Sequence, residues 1–411
     1  MANVYQNPNT YTQECLASLL NEMVISKHVS RKYESKFAIA GWKIGDTFNV
    51  RRPARFTVST GASLSTQDYT ETSIPLVINS QKHVDTTFTT LDLTLKVDEF
   101  QDRIIRPAMI QMAAQIDQDG LTTGINTVGN SSGTAGTAPS AVTSIFSIGQ
   151  VLDERSAPRD GERYLVLDPG TNATLVGLMT GFFNDPRVIS SQFRDAVFVD
   201  GTNTIGFKIG MSQNVQKHTV GTLGGTPLVN GASQGLTSGW ANTTTLVTDG
   251  WTATTATLTA GDIFTIANVN AVNPVTRQST GSLQPFVVTA LATADGSGNM
   301  SPIISPAIIS AGPFQNVNAA PADNAAITVK GSASTLYTRN LAWHESAFTL
   351  GCIDLEDVSQ VGAWGARKAY DGFSLRVAKQ YLIASDTVPC RVDALYGWAS
   401  VYPELAVQYL V

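Results

Sequence analysis

Charge is nearly missing from the middle of this chain. The 411 residues carry 27 Lys and Arg against 33 Asp and Glu, yet His218 to Thr335 holds only Arg277, Lys330, Asp249, Asp262, Asp295 and Asp323. Thr, Ala, Gly, Asn, Ser and Val fill that stretch instead. Such a composition favours strands and turns over helix. Basic excess is missing too: the net charge is −6. That excludes a protein gripping nucleic acid over its whole surface, because phosphate neutralisation takes clustered Lys and Arg. A local basic patch stays open.

Cysteine is scarce. Cys15, Cys352 and Cys390 are too few for a disulfide framework and lack zinc-ligand spacing, which fits a reducing compartment. The first residues show neither a basic segment nor the apolar core of a signal peptide. No apolar run approaches the ~18 residues needed to span a bilayer. The richest, Ile303 to Ile309, is bounded by Pro302 and broken by Pro306. These absences predict a soluble protein made in the cytosol, with no membrane partner.

What is present is patterned. The chain is too long for one ordinary core, so two or three domains are expected. Residues 10–26 read as an amphipathic helix with Leu16, Leu19, Leu20, Met23 and Val24 as its stripe, opened by a capping-box spacing at Thr10 and Gln13. Residues 44–95 alternate apolar and polar in IGDTFNVRRP, ARFTVST, SIPLVINSQ and VDTTFTTLDLTL, around a Gly/Ser/Thr-rich centre. They predict a long two-stranded excursion. An isolated hairpin is marginal in water, so it needs something to lie on.

Residues 98–119 carry the strongest helical signal. Asp98 is the N-cap candidate; Phe100, Ile104, Ala108, Met112 and Ile116 recur on one face. Pro107 predicts a kink and Gly120 a C-cap. A second helix is expected over 142–155, a buried strand at RYLVLDP, a short helix at NATLVGLM and an apolar edge at residues 207–215. The charge-poor insert offers strand candidates every ~8–12 residues, predicting a small barrel or sandwich. From Leu336 a strand, a long hairpin and paired C-terminal strands follow.

Motifs for chemistry are thin. GASQG, Gly231 to Gly235, has the G-x-S-x-G spacing, but no helix-forming sequence follows Ser233, and its only later histidine is His344. His344-Glu345 is half of an H-E-x-x-H motif with Phe348 where the second histidine belongs; His28, His83 and His218 stand alone. No phosphate-cradling glycine motif occurs. The residues therefore predict no catalytic site, cofactor or metal. Arg51, Arg52 and Arg55 form a small basic cluster, read as a strand face or an inter-subunit contact, since Arg is favoured at interfaces.

The order of these parts resembles the coat proteins of tailed phages, specifically the P-22-like major capsid proteins built on the HK-97 fold with an inserted domain. Four stretches carry the resemblance: KVDEFQDRIIRPAMIQMAAQID, LDERSAPRDGERYLVLDPGTNATLVG, TLTAGDIFTIANVNAVNP and CRVDALYGWASVYPELAVQYL. It implies an α+β fold with an N-terminal arm (1–36), an extended E-loop (37–96), a peripheral domain with the first part of an axial domain (97–217), an inserted β-barrel domain (218–335) and the remainder of the axial and peripheral domains (336–411). It also implies a non-enzymatic subunit assembling in the host cytoplasm into hexamers and pentamers of an icosahedral virion shell. Its implied partners are a scaffolding protein, a portal protein and enclosed double-stranded DNA bound without sequence specificity.

One departure stands out. The loop that bridges capsomers in the family is charged, whereas its counterpart here, Gly231 to Val247, has no charge. Contact there must use hydrogen bonds or apolar groups such as Trp240. Arg51, Arg52, Arg55 and Trp240 are thus the candidate inter-subunit residues. A β-rich adhesin or tail-associated module, an encapsulin-like shell and a hydrolase using Ser233 remain alternative readings.

Overall fold

A computed structural model describes residues 8–31, 47–64, 66–67, 71–89, 106–179, 203–204, 206–356, 358, 364–370 and 373–411. The chain divides into two compact units, Met1–Val50 with Pro75–Gly120 and Thr349–Ala399, and Arg51–Ile74 with Leu121–Phe348 and Ser400–Val411.

In the first unit, helix α1 (Pro8–Glu22) packs on a hairpin of strands Trp364–Tyr370 and Phe373–Lys379. Cys15, Leu16 and Leu19 are buried, and so is Met23 just beyond the helix. Thr10 lies inside the helix, not at its cap. The hairpin continues into the 14-residue strand Thr387–Ser400, which also pairs antiparallel with Ser80–Thr89. Phe373, Leu375 and Val377 alternate into the core, as do Cys390, Val392 and Ala394. Cys15, Cys352 and Cys390 are all buried.

Helix α2 is described over Arg106–Thr127 and contains Pro107. Residues 98–105, which hold the expected cap Asp98 and the arm of any kink, lie outside the described residues. The C-cap expected at Gly120 is displaced, since the helix runs through it to Thr127. A Cβ at Gly120 would stand 2.6 Å from the Trp398 ring. The glycine therefore makes room for an aromatic neighbour and does not end the helix.

In the second unit a mixed sheet runs in the order Ser131–Gly133, Ala406–Leu410, Leu336–His344, Arg163–Leu167, Phe207–Met211, Asn203–Thr204. The outer pair at Ser131 and the Arg163–Phe207 pair are parallel. Helices α3 (Thr143–Glu154) and α4 (Pro169–Met179) join Leu165, Leu167, Phe207, Ile209, Val407 and Tyr409 in one core through Ile145, Ile148, Leu152 and Leu175. The 207–215 segment, expected as an edge, thus supplies an interior strand.

The C-terminal strands, expected to pair with each other, belong to different sheets. Ala406–Leu410 pairs with Leu336–His344, and Thr387–Ser400 with Phe373–Lys379 and Ser80–Thr89. The turn at Pro403–Leu405 separates them. Likewise NLAWHESAFTLGCIDL forms two strands, Leu336–His344 and Phe348–Ile353, parted by a turn at Glu345–Ala347.

The charge-poor insert folds as predicted into β-structure, but its sheets stay open. One has the order Thr244–Thr245, Ile303–Ser305, Ser279–Val288, Ile263–Val272, Ile327–Val329, and two further sheets have two strands each. The outer strands are only two and three residues long, too short to pair edge to edge into a closed barrel. Phe264, Ile266, Phe286, Val288, Ile304 and Ile308 fill a core of its own.

In the excursion, Thr47–Arg52 and Thr72–Val77 form a two-stranded sheet. ARFTVST, expected as a strand, is irregular. Gln67 instead holds Thr57, accepting from its N–H and hydroxyl at 2.8 Å each. A side chain that occupies the backbone donor competes directly with a strand ladder.

Candidate functional site

The sequence's thin catalytic motifs do not converge. Ser233 is exposed, with φ of 59°, and its N–H donates to the Pro321 carbonyl at 2.9 Å. No helix follows it; the loop is held by Gln234, whose amide bonds Val247 on both sides. His344 instead faces Asp160 at 3.0 Å and caps its own turn by accepting from the Ser346 N–H. His218 is bonded to buried Asp262 at 2.8 Å. Among the described residues no cluster of three or more His, Cys, Asp or Glu side chains could hold a metal.

The arginine cluster divides. Arg51 points outward and pairs with exposed Glu71 at 2.9 Å. Arg52, next in the strand, points to the opposite face and is buried. Its guanidinium lies 4.5 Å from the Tyr402 ring centroid and 5.6 Å from that of Trp240, and it pairs with Glu404. Arg55 reaches the same Glu404 oxygen at 3.1 Å and lies 5.8 Å from the Phe314 ring. Three of the four candidate residues, Arg52, Arg55 and Trp240, are thus brought together, and Arg51 is not among them.

Glu404 sits on the Pro403–Leu405 turn, and Asn130 holds that turn by donating to the Glu404 and Ala406 carbonyls at 3.1 Å. The Asn130 carbonyl oxygen accepts from buried Arg155 Nε at 3.2 Å, and Arg155 donates onward to Gln284 of the insert at 2.7 Å. Burial pulls the Arg155 pKa down to about 10. These groups line part of a small cavity of about 70 Å³. Beyond them Arg277 of the insert donates to the Phe56 carbonyl at 2.6 Å. Glu404, Tyr402, Phe314 and Arg277 were not legible as partners, because nothing near them in sequence marks a contact with residues 52–56.

Past this root the excursion is uncovered. Phe56, Val58 and Leu64 are 61%, 98% and 91% exposed. A second feature is a groove of about 1280 Å³ along α3, lined by Phe146, Gln150, Asp153, Arg159, Arg163 and others. Arg159's hydrogen bond, the largest influence, holds the Asp153 pKa below its ordinary value. No helix among the described residues is long and apolar enough to cross a membrane.

An excursion with exposed apolar side chains beside a turn-rich insert is the surface of a protein built for contacts, and comparison with known proteins defines the class: a structural protein of a bacteriophage shell. The chain belongs to the family described as "P22 coat protein - gene protein 5", which matches residues 2–410. It is a major capsid protein, which forms the shell with copies of itself and resides in the virion capsid.

Among solved structures the chain is similar to one from Mycobacterium phage Che8, at 12% identity and a TM-score of 0.45, covering 94% of this chain and 90% of that one. It is similar to the capsid structure of the cyanophage P-SCSP1u at 11% identity and a TM-score of 0.41, covering 90% and 84%. It also matches the CUS-3 coat protein I-domain at 28% identity and a TM-score of 0.19, over 25% of this chain and 94% of that one. No curated protein matches the chain.

Proposed function

We propose that the shell is icosahedral, built from hexamers and pentamers of a subunit with the HK-97 arrangement, and that it encloses double-stranded DNA without sequence-specific contact. In this reading residues 1–36 are the N-terminal arm, 37–96 the E-loop and 97–217 the peripheral domain with the first part of the axial domain. Residues 218–335 are the inserted β-domain, and 336–411 complete the axial and peripheral domains. Assembly takes place in the host cytoplasm with a scaffolding protein and a portal protein. The subunit has no enzymatic role.

The observation that carries this reading is the uncovered excursion. Val58 and Leu64 stand almost fully in solvent in the single chain. Large apolar groups projected on an arm are stabilised by burial against a neighbour, by roughly 1.5–3 kcal/mol for each side chain fully buried. Repeated over many identical contacts, weak interfaces give a stable closed shell. Arg51, on the exposed face of the excursion strand, supplies a polar contact beside it.

Two measurements test the proposal. Negative-stain electron microscopy of the protein co-expressed with its neighbouring genes is expected to show closed shells; monomers or fibres alone would refute it. In the shells, a photo-cross-linking residue in place of Val58 is expected to give covalent dimers of this chain. Absence of dimers from intact shells would remove the excursion from the interface.

A further inference from the structure

We propose that Arg52 is a positioning residue through which the insert sets the direction of the excursion. Its guanidinium, on the excursion strand, is touched by the insert and by the C-terminal turn together. Trp240 of the insert and Tyr402 of the C-terminal segment place their rings 5.6 and 4.5 Å from it, and Glu404 closes the site with a carboxylate. Two further ties hold the next residues: Arg55 on the same carboxylate oxygen, and Arg277 of the insert on the Phe56 carbonyl.

The chemistry of the site favours a fixed direction over a loose tether. A guanidinium is planar, so rings and a carboxylate around it restrict its orientation as well as its place. Cation–π attraction strengthens when the cation is withdrawn from water, and Arg52 is buried. Glu404 cannot drift, since Asn130 fixes its turn, and Asn130 is held by Arg155, which is anchored in turn on the insert's Gln284. The strand that carries Arg52 runs directly into the exposed segment at Phe56, Val58 and Leu64. A shift of the loop bearing Trp240 therefore moves the root of the arm. In this chain the charge-free loop 231–247 serves as an internal strut, with Trp240 turned to its own excursion.

The importance of that direction for assembly rests on the excursion contacting a neighbouring copy; the strut itself does not. Limited trypsinolysis of the full-length unassembled subunit separates the two. The Arg55–Phe56 bond lies inside the tied segment, so its cleavage reports release of the root. Trp240→Ala and Glu404→Gln are each expected to speed that cut about tenfold, with the cuts elsewhere unchanged. Trp240→Phe, which keeps an aromatic face, is expected to restore protection. Unchanged cleavage at Arg55 in both variants would overturn the proposal. So would a rise at all sites that Trp240→Phe fails to reverse, since that marks general loosening. Whether the excursion touches a neighbour is read separately, by cross-linking from position 58 in wild-type shells.

Discussion

Ser26 donates both its backbone N–H and its hydroxyl to one oxygen of the Asp117 carboxylate, at 3.0 and 2.5 Å. The other oxygen accepts from the N–H groups of Val24 at 2.8 Å and Ile25 at 3.3 Å. Asp117 is buried on the apolar face of α2, and its carboxylate ties down the chain that leaves α1. Hydrogen bonds to a charged acceptor are the strong ones, and here four donors share it.

Removing that acceptor leaves three buried or half-buried backbone donors without a partner. Asp117→Ala is expected to destabilise the unassembled subunit by about 3 kcal/mol. Urea denaturation checks this. A loss below about 1 kcal/mol would show that residues 24–26 find other partners.

Gly120 tests steric fit against helix propensity. In an exposed helix interior Gly→Ala is stabilising by about 1 kcal/mol. Here the new methyl would meet three ring atoms of Trp398 at 2.6 to 2.9 Å. Overpacking costs about 1–3 kcal/mol, so Gly120→Ala is expected to lower stability on balance. Trp398→Leu in the same chain is expected to recover part of the loss. A more stable single variant in thermal unfolding would contradict this packing.

Arg339 is a buried cation with none of its three guanidinium nitrogens hydrogen-bonded among the described residues. Burial, the largest influence, drags its pKa down to about 10, against some attraction from Asp262. Lys330 is lowered as well, by burial first and then by the Arg339 charge. Arg339→Met, with similar length and no charge, is expected to stabilise the subunit by about 1–3 kcal/mol in urea. A destabilised variant would mean that the pull of Asp262 outweighs desolvation.

Acid sensitivity follows from three carboxylates near the strand Arg163–Leu167. Asp153 is lowered chiefly by Arg159's hydrogen bond, Asp160 by His344's and Glu162 by Lys208's. A carboxylate lowered in the folded state binds fewer protons there than in the unfolded chain. Its stabilisation is therefore complete above the ordinary carboxylate pKa and is lost as pH falls through the folded value. Asp153→Asn and Glu162→Gln are expected to be less stable than wild type at pH 7, with the difference shrinking below about pH 5. A difference that stays constant from pH 7 to 3 would sink the assignment.

The local signals in the sequence were read correctly where the pattern needed no partner. Ile145, Ile148 and Leu152 recur at helical spacing, and α3 follows them. RYLVL is apolar throughout and forms a strand buried at every position. The low charge of residues 218–335 predicted strands and turns, and the segment folds into short strands. Composition and periodicity act within one element, so they determine its type and which face seeks burial. Phage-shell resemblance was likewise legible, from the order of several weak signals.

Tertiary structure decided everything that depends on which distant groups meet. Gly120 read as a helix end, but Trp398 uses the space it leaves. Asp117 sat on an apolar stripe with nothing to mark its four donors. Two C-terminal segments, both plainly strands, were assigned to different sheets by the turn between them and by their neighbours. Arg51 and Arg52 are adjacent and chemically identical, yet one faces solvent and the other a carboxylate 352 positions away. A strand turns successive side chains to opposite faces, so sequence placed the two arginines apart; only the packed fold could choose which one was buried and supply its partners.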